Sequence, residues 1–366
     1  MKVAIINRHP SDVLGGSEMQ CANIAAGLSR RGHDVAYIAP SNGFRSSKAE
    51  PYRIIPVKPT PRDIAAAIVA HNADVIYWRF NKYYLLRTMW KLASEKIPVV
   101  FAISHINDTK VFSHYANPRS GVRSLLRTVK QLAASSLNHM GFRYVSGVTT
   151  LNPDFLNILP VARQCFVPNS VELQARSFSW PRPYVVWVAN LKPTKRPELF
   201  LKLAAALAGK GMDFLMVGAI QAPEYEWIAK SGAEHAVHYL GPKSLEETNG
   251  IIGQALALVH TCRPEGFGNN FLQAWLQGVP TVSLGFDPAG LIAKFGLGGF
   301  ADGRWDLFVS QVEALIANPD GAKEIGRRAK AFAEQRFSVD RTLETLESFL
   351  MEIVEDKPQA KMAVAT

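Results

Sequence analysis

Short runs of branched apolar residues alternate with amphipathic helical stretches along nearly the whole of this 366-residue chain. That alternation limits the fold more than any other feature, because parallel strands need a crossover of a dozen or more residues, usually a helix. Strands buried on both faces then read as continuous apolar runs. Residues 2–7, a helix at 16–31 and residues 34–39 form one βαβ unit, and further strands are expected at 73–79, 97–104, 145–151 and 165–169. The pattern stops between 171 and 183, where Pro181 and Pro183 bracket a polar stretch. It resumes with a strand at 184–189, a helix at 196–208 and strands at 213–217, 235–240, 256–260 and 281–284. The expected architecture is α/β, with two Rossmann-like doubly wound parallel-sheet domains facing a central cleft and a C-terminal helical segment from about 307 to 354. The domains are drawn at 1–172 and 184–338. A linker spans 173–183, a helix at 339–354 is placed to cross back to the first domain, and a disordered tail covers 355–366.

Exclusions narrow the function. No apolar run approaches the roughly 20 residues that span a bilayer, and the opening Lys2–Ile6 run reads as a strand rather than a signal peptide. A cytoplasmic protein is expected. Cys21, Cys165 and Cys262 lie far apart with no CxxC pair, so they read as core residues and not as a disulfide framework or zinc site. The 41 Lys and Arg against 31 Asp and Glu give a formal charge of +10, which favours phosphorylated substrates or an anionic surface. Nucleic acid is not expected as a partner, since no recognition motif accompanies the charge.

Open α/β sheets bind ligands at the carboxyl ends of their strands. After the strand ending at His260 comes Thr261-Cys262-Arg263-Pro264-Glu265-Gly266-Phe267-Gly268-Asn269-Asn270, opening a helix that stops at Gly278 before Pro280. A glycine-rich strand-to-helix turn lets backbone N–H groups approach an anion, and the helix dipole favours it. A tight turn that merely needs flexible backbone reads the same way.

Taken together, Pro264-Glu265-Gly266-Phe267-Gly268, Phe271-Leu272-Gln273-Ala274 and Gly278-Val279-Pro280 resemble the donor site of retaining glycosyltransferase family 4. Gly15-Gly16-Ser17-Glu18, Arg31-Gly32-His33-Asp34-Val35, Pro168-Asn169-Ser170-Val171-Glu172 and Leu191 to Lys195 follow the family's order, so the resemblance covers most of the chain. It implies a metal-independent transfer of a sugar, with retention, from a UDP- or GDP-sugar to a glycan or lipid-linked acceptor. By the resemblance Glu265 contacts the transferred sugar or its leaving phosphate. Backbone groups of Gly266, Phe267, Gly268, Asn269 and Asn270 hold sugar hydroxyls or phosphate, and Gln273 faces the ribose. Gln273 stands where the family has a second glutamate; a neutral amide lacks the carboxylate's charge-assisted strength. Likewise the family's Arg and Lys after the first strand of the second domain become Asn190 and Lys195. Lys195 is then the diphosphate ligand, and Arg196 or Lys192 supplies the missing charge. In the absence of an Asp-x-Asp motif no metal is called for.

In the first domain Gly15 and Gly16 open a helix after a strand and allow backbone to approach donor phosphate or acceptor. No full GxGxxG follows, which argues against a nicotinamide dehydrogenase. His105 ends a strand about where the family carries a histidine near the reacting sugar, though a lone His is more often structural. The stretch 119–143 interleaves Arg119, Arg123, Arg127, Lys130 and Arg143 with apolar residues, which suits either an anionic membrane surface or a solvated helix face. Docking there would place the protein on the inner face of the membrane with a lipid-linked acceptor. Two rivals use the same fold: a non-catalytic nucleotide-sugar-binding protein, and a sugar-nucleotide epimerase or phosphorylase.

Overall fold

The computed structural model describes residues 1–13, 15–44, 49–104, 106–111, 133–171, 173–231, 236–263 and 266–356. It divides into two compact units, Met1–Pro168 with the segment from Asp340 onward, and Asn169–Val339. Each holds one all-parallel sheet among the described residues, and the doubly wound reading is met in both.

In the first unit the order is β3-β2-β1-β4-β5-β6-β7. The strands are Lys2–Ile6 (β1), Asp34–Pro40 (β2), Arg53–Val57 (β3), Val75–Trp78 (β4), Val99–Ile103 (β5), Gly147–Thr150 (β6) and Gln164–Phe166 (β7). β1, β4 and β5 are central, and their Val, Ile and aromatic side chains are almost wholly buried, as two-sided coverage requires. β3 is an added strand, absent from the sequence expectation. Its RIIPV run carries Pro56, which cannot donate to a ladder, and the strand accordingly sits at the sheet edge.

In the second unit the order is β10-β9-β8-β11-β12-β13. Its strands are Tyr184–Val188 (β8), Asp213–Val217 (β9), Val237–Tyr239 (β10), Ala257–His260 (β11), Thr281–Ser283 (β12) and Gly298–Phe300 (β13). The Gly298-Gly299 pair, which had no strand context in sequence, forms the edge strand β13. Gly298 sits at φ +149°, and a Cβ there would overlap the carbonyl oxygen of Thr281. The stretch 173–183, expected as a linker, lies along the helix Leu245–Gly253: Arg176 N–H donates to Glu246 O (2.9 Å) and Asn249 Nδ2 to Gln174 O (2.9 Å).

The C-terminal helical segment is present as three helices, Trp305–Ala317, Pro319–Arg336 and Val339–Glu355. Pro319 at the first position of the second explains the break, because it has no N–H to continue the helix before it. Residues 357–366 lie outside the described residues. The last helix packs on the first unit: a Cβ on Gly27 would overlap Leu343, and one on Gly147 would press on Phe349 and Ile353. Glu347 accepts from Arg31 Nη1 (2.7 Å) and pairs with His33 Nε2 (2.7 Å). Desolvation would raise this carboxyl, but the bonds from Arg31 and His33 outweigh it and hold it below the ordinary carboxylate value.

A depressed folded-state value means stability that is present above the unfolded value and is lost as pH falls through the folded one. Glu347→Gln should therefore lower stability at neutral pH by about 1 kcal/mol or less. In urea unfolding series, the gap from the parent should close below the carboxylate range; a gap independent of pH would contradict it.

Candidate functional site

In the second unit the chain winds outward from β8 to β10 and returns at β11 beside β8, so the topological switch point lies between β8 and β11. Open α/β sheets bind ligands outside the carboxyl ends at such a point. Two loops leave there, 189–196 after β8 and 261–268 after β11, and the sequence candidates Asn190, Lys195, Arg196 and Gly266 to Asn270 all lie on these loops or at the start of the helix that follows.

Thr261 ties the two loops together. Its hydroxyl accepts from Trp187 Nε1 (2.9 Å) and shares its proton between the carbonyl oxygens of Lys195 (2.7 Å) and Arg196 (3.2 Å). Arg196 Nε returns a bond to Thr261 O (2.6 Å), and Arg263 N–H donates to Thr194 O (3.1 Å). Thr261 is wholly buried, so these bonds are made away from water and fix both loops to each other. Arg196 adopts φ +50°, ψ +56°, a left-handed conformation that a bulky residue rarely takes, between the turn Pro193–Lys195 and the helix Pro197–Ala206. One of its terminal nitrogens, Nη2, is buried without a hydrogen-bond partner among the described residues. Lys192 and Lys195 are half-buried on the same loop, and Arg263 is exposed on the other.

Gly266 and Phe267 are buried, Phe267 against Phe337 with ring centroids 5.6 Å apart. Gly268 then turns the chain at φ +78°, where a Cβ would press on Phe271, so glycine is required by both backbone and space. The helix Asn269–Leu276 begins there, and no described side chain caps its N-terminus. The first N–H groups of a helix and its dipole favour an anion at that end. Asn269 Oδ1 accepts from Asn169 Nδ2 (2.6 Å), and Asn270 Nδ2 donates to Val188 O (3.1 Å), which fastens the helix start to the end of β8. Lys192, Lys195, Arg196 and Arg263 thus stand on two joined loops that end beside this helix start, a basic rim in the sequence of both loops.

Two candidates are engaged elsewhere. Asn190 Oδ1 accepts from Ala219 N–H (3.3 Å), pinning its loop to the one after β9. Gln273 is 7% exposed, and its Nε2 donates to Asn249 Oδ1 (2.7 Å), which leads on to Gln174 O. Its amide thus belongs to a buried polar chain. Glu265 and His105 lie outside the described residues.

In the first unit Gly15 precedes the helix Gly16–Arg30 after β1, also at a switch point, between β1 and β4. A Cβ on Gly15 would overlap the carboxylate of Glu18, which folds back over it. Nearby, Asn7 Nδ2 donates to Ser17 Oγ (3.0 Å) and Cys21 Sγ (3.4 Å), and burial raises the Cys21 thiol to about 11. Such a thiol stays protonated and has no nucleophilic role. The node at Thr261 and the Asn249–Gln273 pair were not found from sequence; their partners stand 24 to 74 positions away.

No helix among the described residues is long and apolar enough to cross a membrane, and no group of three His, Cys, Asp or Glu among them stands ready for a metal ion. Residues 172–332 match the model of the family described as glycosyl transferases group 1, which bears out the resemblance noted in the sequence. The chain is 26% identical over 204 residues to D-inositol 3-phosphate glycosyltransferase of Gordonia bronchialis, a match covering 50% of this chain and 43% of that protein. Matched to less than half of that relative's length, the chain shares with it one stretch and not the whole. Two solved structures share the fold along nearly the full length. Sucrose-phosphate synthase from Thermosynechococcus elongatus superposes with a TM-score of 0.77 at 14% identity, covering 97% of this chain and 99% of that one. Anabaena HepE, solved with UDP and glucose, gives 0.72 at 20% identity, covering 96% and 100%.

Proposed function

With residues 172–332 placed in the glycosyl transferases group 1 family, we propose that the chain transfers a sugar from a nucleotide-diphosphate donor to an acceptor hydroxyl, with retention at the anomeric carbon and without a metal ion. The observation that carries the reading is the basic rim at the switch point, where the loop of Lys195 and Arg196 is tied through Thr261 to the loop that opens the helix after Gly268. Fixed cations and dipoles aimed at a departing diphosphate lower the barrier without reorganising at the moment of reaction. In this reading Lys195 neutralises the diphosphate, the Gly266–Asn270 backbone holds phosphate or sugar hydroxyls, and Glu265 contacts the transferred sugar.

The unit carrying the rim binds the donor, and the first unit, with Gly15, Gly16 and His105, receives the acceptor. That acceptor is a glycan or lipid-linked glycan, met by a cytoplasmic enzyme on the inner face of an anionic membrane. The nucleotide side is the altered side: Asn190 and Gln273 replace charged residues of the family, and each amide makes a bond inside the unit. Backbone and phosphate contacts then carry more of donor affinity than ribose contacts do. UDP-sugars are the first donors to test, because the Anabaena neighbour was solved with UDP and glucose; GDP-sugars follow.

The test mixes the protein with each nucleotide sugar and a glycan acceptor, chelator present, and follows nucleotide release and product. Release dependent on acceptor, lost in Glu265→Ala, is expected. Tight nucleotide binding with no release would overturn transfer in favour of the non-catalytic reading. Interconversion of the donor sugar without acceptor would point to an epimerase.

A further inference from the structure

The first unit carries an exposed aromatic and apolar patch that its own core does not use. Trp90, at the end of the helix Leu85–Lys91, is 54% exposed, and Tyr144, ending the turn Met140–Tyr144, is 45% exposed. They meet on the surface, where Trp90 Nε1 donates to Tyr144 Oη (3.1 Å). The patch continues through Met140 and Leu137, which are 42% and 41% exposed along the helical residues 133–144. Gly141 lies against the backbone of Leu86, so the two elements are packed side by side and present one surface. Large apolar side chains gathered on an exposed face mark interaction sites more often than chance.

Basic side chains outnumber acidic ones around it. Arg87 and Lys91 share the exposed face of the Leu85–Lys91 helix with Trp90, at i, i+3 and i+4, and Arg143 adjoins Tyr144. Neither 82–92 nor 133–146 contains an Asp or Glu. Between Asp108 and Asp154 the chain carries Lys110, Arg119, Arg123, Arg127, Lys130 and Arg143 without any acidic residue. Tyr144 also lines a cavity of about 440 Å³ at the amino ends of β5 and β6, to which Lys96, Arg163 and Asp356 contribute, Arg163 being paired with Asp356. That is the end of the sheet opposite to Gly15 and Gly16.

We propose that this face docks on an anionic lipid bilayer, with Trp90 and Tyr144 at headgroup depth and Arg87, Lys91 and Arg143 against lipid phosphates. Trp and Tyr suit that depth because each pairs an apolar ring with a polar tip. Basic residues near the surface add attraction that a neutral bilayer cannot supply. A second protein partner would not by itself call for Arg87, Lys91 and Arg143 beside two exposed aromatic rings. The inference deepens the membrane part of the reading above and needs nothing from its sugar-transfer part.

Sedimentation with vesicles tests it. The full chain is expected to pellet with phosphatidylcholine vesicles containing phosphatidylglycerol, much less with phosphatidylcholine alone, and to be released by salt. Binding should fall at least ~10-fold in the double variant Trp90→Ala/Tyr144→Ala and in Arg87→Glu/Lys91→Glu. The charge-reversal pair alters only exposed side chains, so it keeps the test alive should the aromatic pair fail to fold. Parent and variants binding alike, or a parent that ignores both vesicle types, would overturn docking. So would self-association of the parent that the variants lose, which would make the patch a contact between copies. Transfer onto a water-soluble acceptor should persist in every variant, so that loss of docking and loss of the catalytic reading are told apart.

Discussion

Lys195→Ala is expected to lower kcat by about 10²–10³-fold, roughly 2.7–4 kcal/mol of barrier, with the melting temperature unchanged. The size follows from the fixed backbone that carries the ammonium and not from its charge alone. Lys195 ends a turn whose carbonyl is held by the buried Thr261 hydroxyl, so its backbone is fixed before any ligand arrives. The same loop position puts it at the carboxyl end of β8, on the loop tied to the one that opens the helix after β11. Charge that develops on a leaving diphosphate would meet a preset partner. Lys195→Arg should recover part of the rate, since it keeps charge but changes reach. Steady-state kinetics with saturating donor decide the matter: a kcat within twofold of the parent would remove Lys195 from the mechanism, whatever its effect on KM.

Gly250→Ala is the second substitution with a large expected effect, and its sign is the opposite of the usual one. In a helix interior, replacing glycine by alanine ordinarily gains up to about 1 kcal/mol. Gly250 lies within the helix Leu245–Gly253, but a Cβ there would overlap the carbonyl oxygen of Arg176. The obstacle is backbone, so no rotamer change relieves it. The strand of chain at 174–176 is also tied to the same helix by Asn249 Nδ2 and by Glu246 O. Moving it away would loosen Asn249 and with it Gln273. A loss of about 1–3 kcal/mol is expected, read as an earlier denaturant midpoint for the second unit. A variant as stable as the parent would mean that 173–183 does not hold this position in solution.

Much of this was legible in the sequence because the relevant signals are local. Central strands announced themselves as unbroken Val and Ile runs, and the glycine-rich turn before Asn269 is a strand-to-helix turn as read. The misses were physical. β3 hid behind Pro56 and β13 behind Gly298-Gly299, residues that weaken a strand signal and yet are tolerated at a sheet edge. The C-terminal helix read as continuous because apolar periodicity survives across Pro319 while the axis does not. At the site, Lys195 and Gly268 follow as candidates from the motifs that carry the family resemblance. The role of Thr261 does not, because its partners Trp187, Lys195 and Arg196 arrive from 65 to 74 positions away. Gln273 was expected at the ribose from the family resemblance, and a motif position cannot say that Asn249 waits across the helix pair.

The first unit is assembled from both ends of the chain, with the whole of the second unit inserted between Pro168 and Asp340. During synthesis the ribosome delivers the second unit complete before the helix that seals the first. Until that helix arrives, the shallow seats at Gly27 and Gly147 have nothing over them, and Arg31 and His33 have no Glu347 to meet. Domains generally form as units during translation, so the earlier half must wait, loosely closed, for its final piece. A nascent chain released near residue 338 would then be more open to proteolysis in its older half than in its younger one.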